Sequence, residues 1–205
     1  MQWHRNGFQL GLTALYSQFS RPLCPNTEQN YRTDYPQGYN FWNIGANYGY
    51  INSRWNVNGE SAMSGNGAFA TLNSASFQAS KQVAITAIQR YYSAKYWALN
   101  GNAFSEGGQT RNEMGLLLGL AWTINRFLTA NIYSDYAYFA KPRYLASVAS
   151  CAWDNLFSTV YTRNNFSFLV RYRFKIRQKD NANSTRLANE YMQRAHFAFM
   201  FSHRN

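Results

Sequence analysis

The sequence predicts an all-β fold: an antiparallel up-and-down transmembrane β-barrel of about ten strands, occupying residues 1–205 as a single domain. Three observations point there. Apolar and polar residues alternate with a period of two along most of the chain, the connections between these runs alternate in length, and aromatic residues on the apolar faces gather at the ends of the runs. Composition fits the same picture. Hydrophobic residues make up 46% of the chain and aromatics 18%, whereas charged residues are only 14%, well below the roughly 25% of soluble domains. Mean hydropathy is nevertheless −0.48, because alternation hides an apolar face inside a bland average. The longest apolar run, Met114 to Trp122, is far short of the roughly 18 residues a membrane helix needs.

The alternation is read strand by strand. Phe8, Leu10, Leu12, Ala14 and Tyr16 share one face, opposite Gln9, Gly11, Thr13 and Ser17. Trp42, Ile44, Ala46, Tyr48 and Tyr50 alternate with Asn43, Gly45, Asn47 and Gly49, and Trp55 and Val57 with Arg54, Asn56, Asn58 and Glu60. Two weaker strands span about 67–73 and 81–92, the second with Val83, Ile85 and Ala87 on its apolar face. Met114, Leu116, Leu118, Leu120 and Trp122 oppose Glu113, Gly115, Gly119, Ala121 and Thr123; Leu128, Ala130, Ile132, Tyr136 and Tyr138 oppose Thr129, Asn131, Tyr133 and Asp135. After an irregular strand near 155–162 comes the clearest one. There Phe166, Phe168, Val170, Tyr172, Phe174 and Ile176 face away from Ser167, Arg171, Arg173, Lys175 and Arg177, a split that a helix would scatter. A last strand, about 193–202, sets Ala195, Phe197, Phe199 and Phe201 against Arg194, His196, Ala198 and Met200.

Long connections are expected at about 18–40, 93–110, 140–154 and 178–190, and short ones at Asn52–Ser53, around Asn125–Arg126 and around Asn164. Two links fit less well: 64–66 is short where the series wants a long one, and 74–80 is intermediate. One plain end and one elaborated end is the habit of outer-membrane barrels. Trp and Tyr prefer the two membrane–water interfaces. Tyr16, Trp42, Tyr91, Tyr138 and Phe174 are therefore placed at the long-loop interface, and Phe8, Tyr50, Trp55, Trp122 and Phe166 at the short-turn one. The expected partner of this face is outer-membrane lipid, and the expected location the cell outer membrane.

The net charge of +11 is one a nucleic-acid binder would also show, but its placement argues otherwise. By parity Arg171, Arg173 and Lys175 point into the lumen, as do Arg54, Glu60, Arg111, Glu113 and Asp135. Glu60, Glu113 and Asp135 are the expected counter-charges of Arg171 and Arg173 near the outer mouth. An internal ion-pair network is the first reading of this cluster, since a charge inside needs a partner; a basic lumen also favours anions. Cys24 and Cys151 both fall in long connections, hence on the same side of the membrane. They form either a disulfide or two free thiols.

Catalytic chemistry is not expected. His4, His196 and His203 accompany no serine or acid at the long-loop mouth, no Cys/His cluster has metal-ligand spacing, and the glycines of 65–67 and 107–108 lack a phosphate-loop context. Asp34, Asp135 and Asp154 form a conceivable acid group at the rim. No enzyme activity, metal or cofactor is predicted. Tyr31-Arg32, Lys95-Tyr96-Trp97 and Arg143-Tyr144 interleave rings with cations as a single-strand stacking groove would, though loops beside anionic headgroups have the same composition.

Residues 90–108, RYYSAKYWALNGNAFSEGG, followed by Asn112-Glu-Met-Gly-Leu-Leu-Leu-Gly119, resemble a segment of Bacteroidetes-type outer-membrane barrels associated with helix-hairpin-helix, competence-like proteins. The resemblance covers about 90–154. It implies a soluble DNA-binding-like module upstream, and it supplies no catalytic residues. Met1 to Asn6 runs straight into the first strand without a signal peptide, and the end, Phe201-Ser-His-Arg-Asn205, lacks a terminal aromatic. The chain is therefore read as a fragment whose leader and upstream module are missing. The function expected is that of an integral outer-membrane barrel: a narrow pore with a basic lumen, a surface scaffold or a transport partner. Nucleic-acid binding by this segment is not expected. The alternative is a soluble basic β-protein that binds nucleic acid or acidic glycans through its Tyr/Arg-rich loops.

Overall fold

The computed structural model describes residues 1–99, 101–181 and 186–201; His203 and the rest of 202–205 lie outside them. The described chain forms one antiparallel sheet in which every strand pairs with its neighbour in sequence, β1 to β11 in order. The strands are β1 (Gln2–Arg5), β2 (Phe8–Leu23), β3 (Gly38–Ile51), β4 (Trp55–Ser64), β5 (Phe69–Gln78), β6 (Val83–Tyr92), β7 (Glu113–Thr123), β8 (Leu128–Phe139), β9 (Ser150–Arg163), β10 (Phe166–Asp180) and β11 (Leu187–Phe201). This is the all-β, up-and-down architecture expected, with the four-residue β1 added in front.

The turns at the plain end follow from their asparagines. Asn52 Oδ1 accepts from the backbone N–H groups of Arg54 and Trp55 (2.8 and 2.7 Å), and Asn125 Oδ1 does the same for Phe127 and Leu128 (2.8 and 3.1 Å). A side-chain carbonyl that closes the turn itself reverses the chain in three or four residues. Asn6 and Gly7, both at positive φ (51° and 81°), make the two-residue turn that matches the twist of a hairpin. The opposite end carries connections 24–37, 65–68, 93–112, 140–149 and 181–186, so length asymmetry holds everywhere except at 65–68.

Several boundaries move from their sequence-based positions, for one physical reason. β2, β9, β10 and β11 run beyond their alternating stretches at the loop end. A strand whose two faces are both wet has no reason to alternate, yet its ladder continues: Leu23 still pairs with Gly38, past a bulge, and Asp180 with Leu187. Asp154 and Cys151 are consequently strand residues of β9, not loop residues, and Phe174 sits mid-strand in β10, not at its rim. β5 reads weakly because the face it shares with the apolar belt carries Thr71 and Asn73. These join Tyr48, Ser61 and Gln89 in an outward hydrogen-bonded patch, with Asn73 accepting from Tyr48 (2.5 Å) and donating to Gln89 (2.7 Å).

The sheet curls. A line of directly opposed residues from Phe8 at the foot of β2 passes Tyr50, Val57, Ala75, Ala87, Leu118, Ser134, Asn155 and Phe174, and reaches Gln193 in β11. Gln193 is eight residues (201 − 193) above the foot of that strand at Phe201. Such a stagger is the tilt that a sheet needs to roll into a barrel wall. Roll-up is visible in contacts between distant parts of the chain: Tyr31 of the β2–β3 loop meets Tyr144 of the β8–β9 loop edge-on at 5.9 Å, and Lys175 of β10 pairs with Glu106 of the β6–β7 loop. The wall is open along one seam. Among the described residues no ladder joins β11 to β1 or β2, and β1 covers only the foot of β2's outer edge.

Faces are inverted relative to a soluble protein. Every residue of the opposed line from Phe8 to Gln193 lies on the outward face, and the same face exposes Leu12, Ile44, Ile85, Leu116, Leu118, Ile132, Trp153 and Phe157. The buried side is rich in Arg90, Glu113, Asp135, Asp154, Ser64, Ser150 and Ser158, accompanied by alanines and a few rings. Total accessible surface is 13711 Å², against about 9,800 Å² for a compact monomer of this mass. A single layer with both faces accessible accounts for the excess, and a two-layer sandwich, with its apolar faces packed together, does not. The protein folded in detergent is expected to migrate faster in SDS gels before heating than after; a detergent-free soluble monomer would contradict this arrangement.

Candidate pore interior and outer vestibule

β6, β7 and β8 present Arg90, Glu113 and Asp135 side by side on the inner face. Arg90 is 0% exposed. Its Nε pairs with Glu113, and its Nη1 and Nη2 donate to the two oxygens of Asp135 at 2.7 and 3.2 Å. The fork geometry of a guanidinium suits this double grip, and the buried cation is itself fully paired, with a carboxylate on each side. Gly115 makes room for it, since a Cβ there would sit 2.3 Å from Arg90 Cζ. Phe104 caps the guanidinium at 5.0 Å.

Glu113 does a second job: it accepts the backbone N–H groups of Glu106 and Gly107, each at 2.8 Å. The β6–β7 loop is thereby tied to the inner wall. From there it crosses the concave side. Tyr96 packs on Ala68, Ala70 and Tyr92, Trp97 O accepts from Asn43 Nδ2 of β3 at 2.8 Å, Tyr92 OH donates to Phe104 O at 2.7 Å, and the Glu106 carboxylate reaches Lys175 on β10. Burial raises the phenol pKa of Tyr96. A connection fixed to both sides of the curved wall narrows whatever space lies between them.

β10 supplies a column of inward cations. Arg173 pairs with Asp154 of β9, Lys175 with Glu106, and Arg177 and Lys179 share Glu190 of β11. Arg171, opposite Ser158 and His196, has no ion pair and is exposed, as is Arg194 across from Arg173. Asp135 and Asp154 are direct cross-strand partners. Like charges so placed repel, and each is held by its own guanidinium, so neither is free for paired-acid chemistry.

The sequence-derived cluster is thus partly reassembled. Glu113 and Asp135 pair with Arg90, which parity reading left out of the cluster, and not with Arg171 or Arg173. The one cue in the sequence was parity, since Arg90 falls on the opposite face from Val83, Ile85 and Ala87; that it opposes Gly115, which leaves room for a long side chain, is set by register. Glu60 is exposed and makes no ion pair. Arg54 lies outside the lumen, in the plain-end turn, because β4 begins only at Trp55. Arg111 lies in the β6–β7 loop above the wall, stacked on Tyr35 at 4.5 Å. Tyr16, Trp42, Tyr50, Trp55, Trp122 and Tyr138 all fall on the outward face by register. Cys24 and Cys151 are both free, and the latter's thiol donates to Gln178 Oε1 at 3.2 Å. Of the aromatic–cation loop segments, Lys95-Tyr96-Trp97 buries Tyr96 and leaves Lys95 exposed. Among the described residues no His/Cys/Asp/Glu group is arranged to hold a metal.

No protein-family model matches the chain, and no curated protein matches it. Among solved structures, the NanC porin in a rhombohedral crystal form is similar at 14% sequence identity, over 96% of this chain and 94% of that one, with a TM-score of 0.41.

Replacing Arg90 by Met should strand two buried carboxylates and cost about 3–5 kcal/mol of unfolding free energy, read as a lowered heat-modification temperature. Adding Glu113→Gln and Asp135→Asn should return most of the loss; a triple variant no better than the single one would show that charge pairing is not what the Arg90 cluster provides.

Proposed function

We propose that this chain is an integral outer-membrane β-barrel that acts as a narrow, anion-favouring pore and carries out no covalent chemistry. The observation that supports this most is the inversion of faces: large apolar side chains cover the outside of a curved antiparallel wall, while ion pairs, serines and asparagines occupy the inside. Outward Leu and Ile between rows of Trp and Tyr suit hydrocarbon between two headgroup layers. Inside, the β6–β7 loop supplies the constriction. Arg171 and Arg194 supply positive charge without local carboxylates, so passing anions meet a favourable potential in a low-dielectric channel.

The paired cations have a different part. Arg173, Lys175, Arg177 and Lys179 hold β9, the loop and β11 in place, and because Arg177 and Lys179 share Glu190 the set adds a smaller net positive field. Replacing Arg171 and Arg194 together by Ser should reduce the anion preference of channels in planar bilayers, measured as a shift of the reversal potential toward zero in a salt gradient. An unchanged potential would reject these residues as the selectivity charges. Shortening the loop by deleting 98–103 should raise single-channel conductance, and an unaltered conductance would place the constriction elsewhere.

A further inference from the structure

Above the wall, the β2–β3, β6–β7 and β8–β9 loops and the top of β10 enclose a cavity of about 320 Å³. Of the charged groups at its edge, Lys175 pairs with Glu106, and Arg177 with the Glu190 that it shares with Lys179. Two guanidinium groups are not so paired. Among the described residues the Arg111 guanidinium has no hydrogen bond or ion pair, only the ring of Tyr35 at 4.5 Å, although Asp34 is close enough to favour its charge. Arg143 lies over Phe139 at 3.9 Å and donates to Ser150 Oγ (3.1 Å) and Gln178 O (3.5 Å), with no carboxylate partner. Burial lowers the pKa of both, the sign of cations held against their solvation preference without a full counter-charge. Nearby, Arg32 in the same loop as Tyr35 has a buried Nε with no acceptor.

The geometry points to a binding site for a small oxyanion in this vestibule, a carboxylate or a phosphate, gripped by Arg111 and Arg143 while Tyr31 and Tyr144 wall the rest of the molecule. Guanidinium forks match oxyanions, and an anion would supply the acceptors that Arg111 lacks and the paired counter-charge that both side chains lack. The Tyr31–Tyr144 pair presents ring edge and face beside the charge, which suits a ligand with a ring or short carbon skeleton. The volume is at the lower end of small-molecule sites, room for one monosaccharide-sized anion. Asn112 fixes the frame by bonding both the N–H and the C=O of Lys141 at 2.9 Å, so the two loops that carry the arginines are tied to each other.

This site rests on the pore reading only for its purpose, as the place where a permeating anion is first selected; binding itself is testable without conduction. Calorimetry on the detergent-folded protein should show saturable, one-to-one binding of glucuronate or of inorganic phosphate, and none of glucose. Which of the two anions binds more tightly identifies the source. Arg111→Gln with Arg143→Gln should weaken binding at least tenfold. Because an unpaired half-buried charge is removed, Arg111→Gln alone should leave the heat-modification temperature unchanged or raised, so lost binding is not lost folding. Equal affinity in the double variant, equal binding of glucose, or no saturable binding of either anion would overturn the site. Anion-selective channels without saturable binding would reject the site and keep the pore, whereas binding without conductance would do the reverse.

Discussion

Peptide groups in hydrocarbon have no water to turn to, so each N–H and C=O of a spanning strand must be matched by its neighbour. Under the proposed membrane reading, that requirement shapes the rest of this chain. It explains why the sequence spends its residues on long ladders and three- or four-residue turns, and why each strand follows its predecessor around the sheet. It also frees the side chains of one face to be apolar without a core to pack against. β2 and β11, the strands beside the open seam, run in opposite directions, as an antiparallel ladder requires.

The inner face solves a different problem. A curved wall brings side chains from several strands toward one another, and charged groups there are tolerable only in compensated sets. Arg90 with Glu113 and Asp135, and Arg173 with Asp154, are such sets. They tie neighbouring strands across the ladder and anchor the crossing loop through the same carboxylate, Glu113. Compensation is incomplete at Arg171, Arg194, Arg111 and Arg143, the cations that the proposed anion path would use. The distinction between paired and unpaired cations therefore separates those that hold the structure from those available to a ligand.

Much of the fold was legible because alternation is a direct print of a two-faced environment. β3, β7, β8 and β10 could be read from residue types alone, as could the outward placement of Tyr16, Trp42, Trp55 and Trp122. Boundaries were legible only along the belt of large apolar side chains on the outward face. Above that level Ser17, Gln18 and Leu23, and Lys179 and Asp180, pair without alternating, and parity carries no message there; by the same loss of pattern Asp154 and Cys151 at the loop end of β9 read as loop. Parity put Glu113, Asp135, Arg171, Arg173 and Lys175 on the face opposite the large apolar side chains, where register also has them, but it misplaced Arg54 and Arg111, which lie in connections, and it could not assign partners. Arg173 finds Asp154 because register sets them on adjacent strands, two residues out of direct opposition, and register is a long-range property. Arg90 was missed because its strand reads weakly beside the polar outward patch of Thr71, Asn73 and Gln89.

The account stands on which solvent each face meets, and adjacent residues of β7 test it. Leu118 faces outward, opposite Ala87 and Ser134, and Leu117 faces inward, opposite Ile88 and Asp135. With Cys24 and Cys151 replaced by Ser, single cysteines at 117 and 118 should differ in lipid vesicles. Leu117→Cys should react with a charged, water-borne thiol reagent and Leu118→Cys with a lipid-dissolved one. Reaction of both with the water-borne reagent, or the reverse pattern, would contradict the claim that the Leu, Phe and Tyr side of the sheet touches lipid.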